Sequence, residues 1–212
     1  MTVERLILAA PAIIFSLTVH EFFHAWAANK LGDPTAKNMG RLTLNPLAHL
    51  DLMGTLMLVL SNFRFGWAKP VPVNPYNLKN LRRDDFWISA AGPLSNMGLA
   101  LVFGTLWRIL SVLNMFPDFE AFYLFLFFMI SINVSLAIFN LIPIFPLDGS
   151  HILRNIVPER YGPFFDSIQR YSPIILMILI FSSFVLPVSL IWLLLGPFIK
   201  LFVFLFSGIQ LA

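Results

Sequence analysis

His20-Glu21-Phe22-Phe23-His24 carries the residue types and spacing that can do chemistry. Residues four apart share one face of a helix, so both imidazoles can bind a single cation. Imidazole nitrogen suits zinc, which lowers the pKa of a water towards neutrality. Glu21, one residue round the helix, can take that water's proton without ligating the metal. It can later return the proton to the leaving amine of a cut peptide. The pattern predicts one Zn2+ per chain and metal-assisted hydrolysis of a peptide bond.

A catalytic zinc usually takes three protein ligands and leaves one position open. The candidates for the third are His49, His151, Asp51 and Asp148. His24 lies about four residues and His20 about eight from the end of their apolar stretch, which places the pair roughly 6–12 Å below a surface. Asp148 sits in the helix break Pro143-Ile-Phe-Pro-Leu-Asp-Gly149, inside an apolar region. Non-helical backbone is tolerated there where it is buried or lines a wet cavity. An aspartate at that depth needs a cation, although Asp is also a favoured helix N-cap. His49 lies in a polar loop. His151, three residues past Asp148, suits a supporting or interfacial role.

The elements that must position these residues are membrane spans. The chain is 58% hydrophobic and 12% charged, with 23 Phe and 5 Trp among 212 residues. A soluble domain would carry about twice that charged fraction. The apolar runs do not alternate as barrel strands do, so the class is an all-α polytopic membrane protein. The first stretch, residues 6–28, is too long for a removable signal peptide and ends at a Gly32/Pro34 stop. Further full spans are predicted over 86–113, 119–139, 172–186 and 188–207, with a tight hairpin at Pro187. Residues 52–60 are apolar but too short to cross, and read as a re-entrant or interfacial helix. Pro70 and Pro72 exclude helix from 65–74 and block one edge of a strand, leaving Val71 and Val73 able to pair on the other. This predicts a small β-hairpin-like segment, with an irregular proline-rich loop as the equally open reading. The whole is read as one domain, 1–212, with a catalytic core over about 5–157 and a C-terminal helical hairpin over about 163–208. The absence of cysteine excludes disulfides and thiolate metal sites. No basic stripe accompanies the aromatics, which excludes nucleic-acid binding.

His20-Glu21-x-x-His24, followed by Asn140-Leu-Ile-Pro-Ile-Phe-Pro-Leu-Asp148-Gly149, resembles the site-2 protease family of intramembrane zinc metalloproteases. The likeness runs from the first span to about residue 155. It implies that His20, His24 and Asp148 hold the zinc and that Glu21 is the catalytic base. It implies that Asn140 helps hold substrate, although an asparagine is also an ordinary helix-ending residue. Gly92 to Asn96 matches the family's Gly-x-x-x-Asn pattern, which makes Asn96 a substrate-binding candidate. An interhelical hydrogen bond is its other reading. Residues 67–74 match the family's membrane-associated β region, which adds Val71 and Val73 as substrate contacts. No stretch is long enough to hide a PDZ domain, and Arg41-Leu-Thr-Leu-Asn-Pro-Leu-Ala-His49 resembles compact prokaryotic members.

If residues 52–60 do not cross, eleven of the fourteen Lys and Arg fall on one side, Arg5 and Arg108 on the other, and Lys200 within the last span. Cytoplasmic loops carry the excess of positive charge. The N-terminus is then outside, the metal near the cytoplasmic face and the C-terminus inside a cell membrane. Only this arrangement brings Asp148 to the same side as His24. The expected partners are a transmembrane protein or peptide substrate and the lipid bilayer. A metal transporter would also place His and Asp within the membrane. Glu21 discriminates, because a hydrolase needs it for turnover rather than for holding metal.

Overall fold

The computed structural model describes residues 3–61, 65–115, 118–186 and 189–211. It comprises α1 (Val3–Lys30), α2 (Thr35–Asn38), α3 (Leu52–Leu60), α4 (Leu81–Val112), α5 (Glu120–Asn140), α6 (Asp148–Ile156), α7 (Gly162–Val185) and α8 (Leu190–Ser207). Five helices among the described residues are long and apolar enough to span a membrane. They are the five full spans expected. Their limits differ at two starts. Helix α4 begins five residues early because the Asn80 side chain accepts from Arg83 N at its N-terminus. Helix α7 begins ten residues early, at Gly162-Pro163, where proline suits the first helical turn. The hairpin expected at Pro187 lies outside the described residues, as do Asn62–Arg64 at the end of α3.

Helix α4 is the centre of the fold. It packs against α1, α5, α6 and α8, while α1 also meets α5, and α8 meets α5 and α7. Small residues permit the close approaches. A Cβ at Gly104 would lie 2.8 Å from the Phe206 Cβ of α8, the small-residue packing usual between membrane helices. One core cluster joins Ala100, Ile130, Val134, Leu176, Leu195 and Val203. Helix α7 rests on α8 and presents Ile174, Met177 and Ile178 outward, a face suited to lipid.

Helix α3 has nine residues, about 14 Å, less than half of an apolar bilayer core of about 30 Å. Asp51 caps it through Gly54 N at 2.8 Å. A Cβ at Gly54 would collide with the Trp67 main chain, so glycine lets α3 seat on the segment after it.

The β-hairpin expected over 65–74 is not formed, and no strand occurs among the described residues. A single antiparallel bridge joins Leu50 to Ala68, with Lys69 N donating to His49 O at 2.8 Å. Pro70 and Pro72 lack donors, so the ladder stops at Lys69. Beyond Lys69 the chain carries no regular structure up to Asn74, and the main chains of Val71 and Val73 form no hydrogen bonds among the described residues. Asp33 then anchors the segment. It is fully buried and accepts from Asn74 N and Asn77 Nδ2, each at 2.7 Å, and from Thr35 Oγ1 at 2.5 Å.

Candidate metal centre

His20 and His24 stand one turn apart on α1, with their Nε2 atoms 3.0 Å apart. Helix α4 orients both rings. His20 Nδ1 donates to Asn96 Oδ1 at 2.6 Å, and His24 Nδ1 donates to the Ile88 carbonyl at 2.7 Å. A protonated Nδ1 on each neutral ring leaves the Nε2 lone pair as the free ligand. Both lone pairs meet Asp148 Oδ2, at 3.3 Å from His20 and 3.4 Å from His24. That oxygen is buried and has no hydrogen-bond partner.

Three electron-rich atoms converge, and only a cation or a proton between them makes the arrangement stable. Zinc–nitrogen and zinc–oxygen bonds of about 2.05 Å, arranged tetrahedrally, put neighbouring ligand atoms about 3.3 Å apart. The observed separations are 3.0, 3.3 and 3.4 Å. Among the described residues this trio is the group that could hold a metal ion. Glycine makes room for it. A Cβ at Gly92 would strike His24 Nε2 and lie 2.6 Å from His20 Cε1. The residues present therefore fit a four-coordinate divalent cation.

Asp148 reaches the trio because of where α6 begins. Leu147, not Asp148, is the N-cap, and Asp148 makes no capping hydrogen bond, so the capping role weighed for it is not used. Its side chain is 20% exposed, against 6% for that of His20 and 10% for that of His24. The site therefore opens on the aspartate side.

Glu21 is buried next to the pair at 9% exposure, and its carboxylate takes no hydrogen bond among the described residues. It shares a helix face with Ala10, Ile13, Ile14, Leu17 and Thr18, spaced three and four apart. Those five line a cavity of about 600 Å³ whose opposite wall includes Ser135, Leu136 and Phe139 of α5. The cavity is mostly apolar, and its α1 wall ends at Thr18, about one turn before Glu21.

The other expected site residues fall elsewhere. Asn96 is fully buried, and its amide nitrogen donates to Asn133 Oδ1 at 2.8 Å and Ser16 O at 3.2 Å. It steadies His20 through the bond to Nδ1. Asn140 ends α5 and donates back to Leu136 O at 3.0 Å. Val73 packs beside Ala27, Ala28 and Ile88, just behind His24. Of the other third-ligand candidates, His49 bonds Thr43 O at 2.8 Å and Asp51 caps α3. His151 Nδ1 lies 3.4 Å from Asp85 Oδ2. The Asp85 hydrogen bond raises its pKa above the usual imidazole range, against the opposing effect of burial.

Two residues behind the site were not anticipated. Asn133, fully buried, donates to Ser16 Oγ at 2.8 Å and Met129 O at 2.7 Å. An asparagine in the middle of an apolar span is a readable signal. The Ile88 carbonyl carries none, because any residue supplies one.

Fold and site define a class: a polytopic helical membrane protein with a His-His-Asp group able to hold a metal ion beside a buried glutamate. The profile of Peptidase family M50 matches residues 109–186. The chain is 39% identical over 171 residues to the Bacillus subtilis (strain 168) protein named "Putative zinc metalloprotease YwhC", covering 79% of this chain and 77% of that one. It is 30% identical over 159 residues to "Putative zinc metalloprotease Rip2" of Mycolicibacterium smegmatis, covering 72% of this chain and 59% of that one. With "Zinc metalloprotease MJ0392" of Methanocaldococcus jannaschii it shares 26% identity over 151 residues, 71% of this chain and 34% of that one. No solved structure matches. The chain belongs to Peptidase family M50.

Proposed function

We propose that this chain is a zinc-dependent intramembrane endopeptidase that cuts peptide bonds in or near transmembrane segments of other membrane proteins. The observation that carries the reading is the convergence of Asp148 on His20 and His24, which share with Glu21 a helix long and apolar enough to span a membrane. His20, His24 and Asp148 are the zinc ligands, one ion per chain. When bound, zinc supplies a Lewis acid that makes a water more acidic and polarises the scissile carbonyl.

The rest is done by the chain. Glu21 takes the proton of the attacking water and delivers it to the leaving amine nitrogen, so each bond cut consumes one water. Asn96 and the Ile88 carbonyl hold the two imidazoles by Nδ1, which fixes their tautomers. Burial of the pair keeps bulk water from all but the aspartate side. A transmembrane helix hides its amides, so the substrate must unwind before its carbonyl is accessible. Val71 and Val73, with unpaired main chains, can accept such an extended segment by β-pairing. The Asn140 side-chain carbonyl offers a further contact. The cavity along α1 seats the apolar part of the substrate and directs it to Glu21.

The chain works as one domain over 1–212, with α7 and α8 as a C-terminal hairpin outside the catalytic core. Helix α3 is re-entrant. The N-terminus lies outside, and the metal and the C-terminus lie on the cytoplasmic side, as the Lys and Arg distribution supports. The test uses purified full-length protein in detergent with single-span substrates, comparing wild type with Glu21→Gln and measuring metal content on both. The variant is expected to keep its metal and lose cleavage. Equal cleavage by both proteins would sink the mechanism.

A further inference from the structure

Helix α6 is nine residues long, about 14 Å, too short to hold its shape without tertiary support. The helix it packs on is α4, and two side chains of α4 tie it down. Asp85 Oδ2 accepts from Asn155 Nδ2 at 2.6 Å, and His151 Nδ1 lies 3.4 Å from the same oxygen. Arg82 Nη2 donates to the Asn155 carbonyl at 3.1 Å and to the Val157 carbonyl, closing the C-terminal end of α6. At the other end a Cβ on Gly149 would run into the Leu141 and Ile142 main chain, so α6 starts packed closely against the preceding turn.

Arg82, Asp85, Gly92 and Asn96 fall on one face of α4, with the Ile88 carbonyl between them. That face already orients His20 through Asn96 and His24 through Ile88. The third ligand, Asp148, has no hydrogen bond of its own to α4 and is held through α6.

We propose that Asp85, gripping Asn155 with support from Arg82, is a positioning residue that sets Asp148 against the two histidines, so that one face of α4 registers all three metal ligands. The inference rests on the reading of Asp148 as a ligand. Neither Asp85 nor Arg82 belongs to the trio itself. Loss of the grip removes the side-chain ties of α6 to α4, so the helix settles differently on α4 and Asp148 at its start moves out of register, leaving the two imidazoles held.

The test uses the full chain in detergent. Zinc affinity is read by chelator competition, and ligand geometry by the visible absorption of the cobalt-loaded protein. The constants kcat and KM are taken on a single-span substrate at saturating zinc. Partners that orient metal ligands typically contribute 10- to 100-fold in affinity. Asp85→Ala is expected to weaken zinc by about that factor, alter the cobalt spectrum and lower kcat, with KM unchanged. The exchanged pair Asp85→Asn with Asn155→Asp restores the grip with donor and acceptor reversed, and is expected to recover most of the affinity. Asn155→Ala breaks the same contact from α6 and carries the test if Asp85→Ala does not fold.

Wild-type zinc affinity and cobalt spectrum in the alanine variants would overturn the proposal. So would failure of the exchanged pair to recover any affinity. Asp148→Asn separates the two levels. If it binds zinc as wild type does, the ligand assignment falls and this proposal with it. If it loses zinc while Asp85→Ala does not, only the positioning role falls.

Discussion

Replacing Gly92 with alanine adds one methyl group at the centre of the metal site. The new Cβ would strike His24 Nε2 and lie 2.7 Å from His20 Nε2. An ordinary carbon contact needs about 3.5 Å, so the rings must retreat by about 0.8 Å or more. They cannot do so freely, because Nδ1 of each is bonded back to α4 at 2.6 and 2.7 Å. A displacement of that size costs about 100-fold in rate when it misplaces reacting groups. The strained ligands are expected to weaken zinc at least as much as a lost supporting contact does, about 10- to 100-fold. Stability should change far less. Alanine gains about 1 kcal/mol of helix propensity over glycine, against about 1–3 kcal/mol for overpacking. The control is Gly98→Ala on the same helix, where nothing lies within 4 Å of the added Cβ. Zinc affinity, cleavage and thermal unfolding would be measured on both. If Gly92→Ala binds zinc and cleaves like wild type, the convergence of the rings at Gly92 is not the working geometry.

Asn133→Leu leaves the Asn96 amide with only Ser16 O at 3.2 Å. Zinc affinity is expected to fall about tenfold, while unfolding shifts by about 0.6–1.7 kcal/mol, the range for interhelical polar contacts in membranes. Gly149→Ala forces a methyl against main-chain carbonyls that cannot move aside. Zinc content should drop and about 1–3 kcal/mol of stability be lost, whereas Gly162→Ala, with open space around it, should be neutral in both assays. Asp33 provides a pH test. Burial pushes its carboxyl up, but hydrogen bonds from Thr35, Asn77 and Asn74 outweigh burial and hold it below its ordinary value of 3.8. Its contribution is therefore complete above pH 3.8 and is lost as pH falls through the depressed folded-state value. Asp33→Asn should be less stable than wild type at pH 7, by about 1.5–3 kcal/mol for each charged hydrogen bond weakened. The gap should close on acidification, read by thermal unfolding.

Much of this molecule is legible along the chain, because a bilayer leaves few options. Apolar runs of span length must be helices, and the five spans appear as expected. The His20/His24 pair is legible for a similar reason, since a turn of helix fixes which residues share a face. The segment over 65–74 shows the opposite case. Its prolines forbid helix, but whether a strand forms depends on a partner elsewhere, and only Leu50 meets it. Asn96 was readable as polar and buried in a span, yet its role turned on which ring lay across from it.

The sequence by itself determined the class of protein, the helical spans, the histidine pair able to share a cation and the glutamate beside it. These follow from hydrophobic length and helical period, both local properties. The tertiary structure decided which oxygen completes the trio, which groups orient the imidazoles and why glycine must stand at 92 and 149. Asp148 is 124 residues from His24 in the chain and 3.4 Å away in space. No local rule connects them. The connection is made by the packing of α4 against both α1 and α6, and it exists only once the helices have assembled.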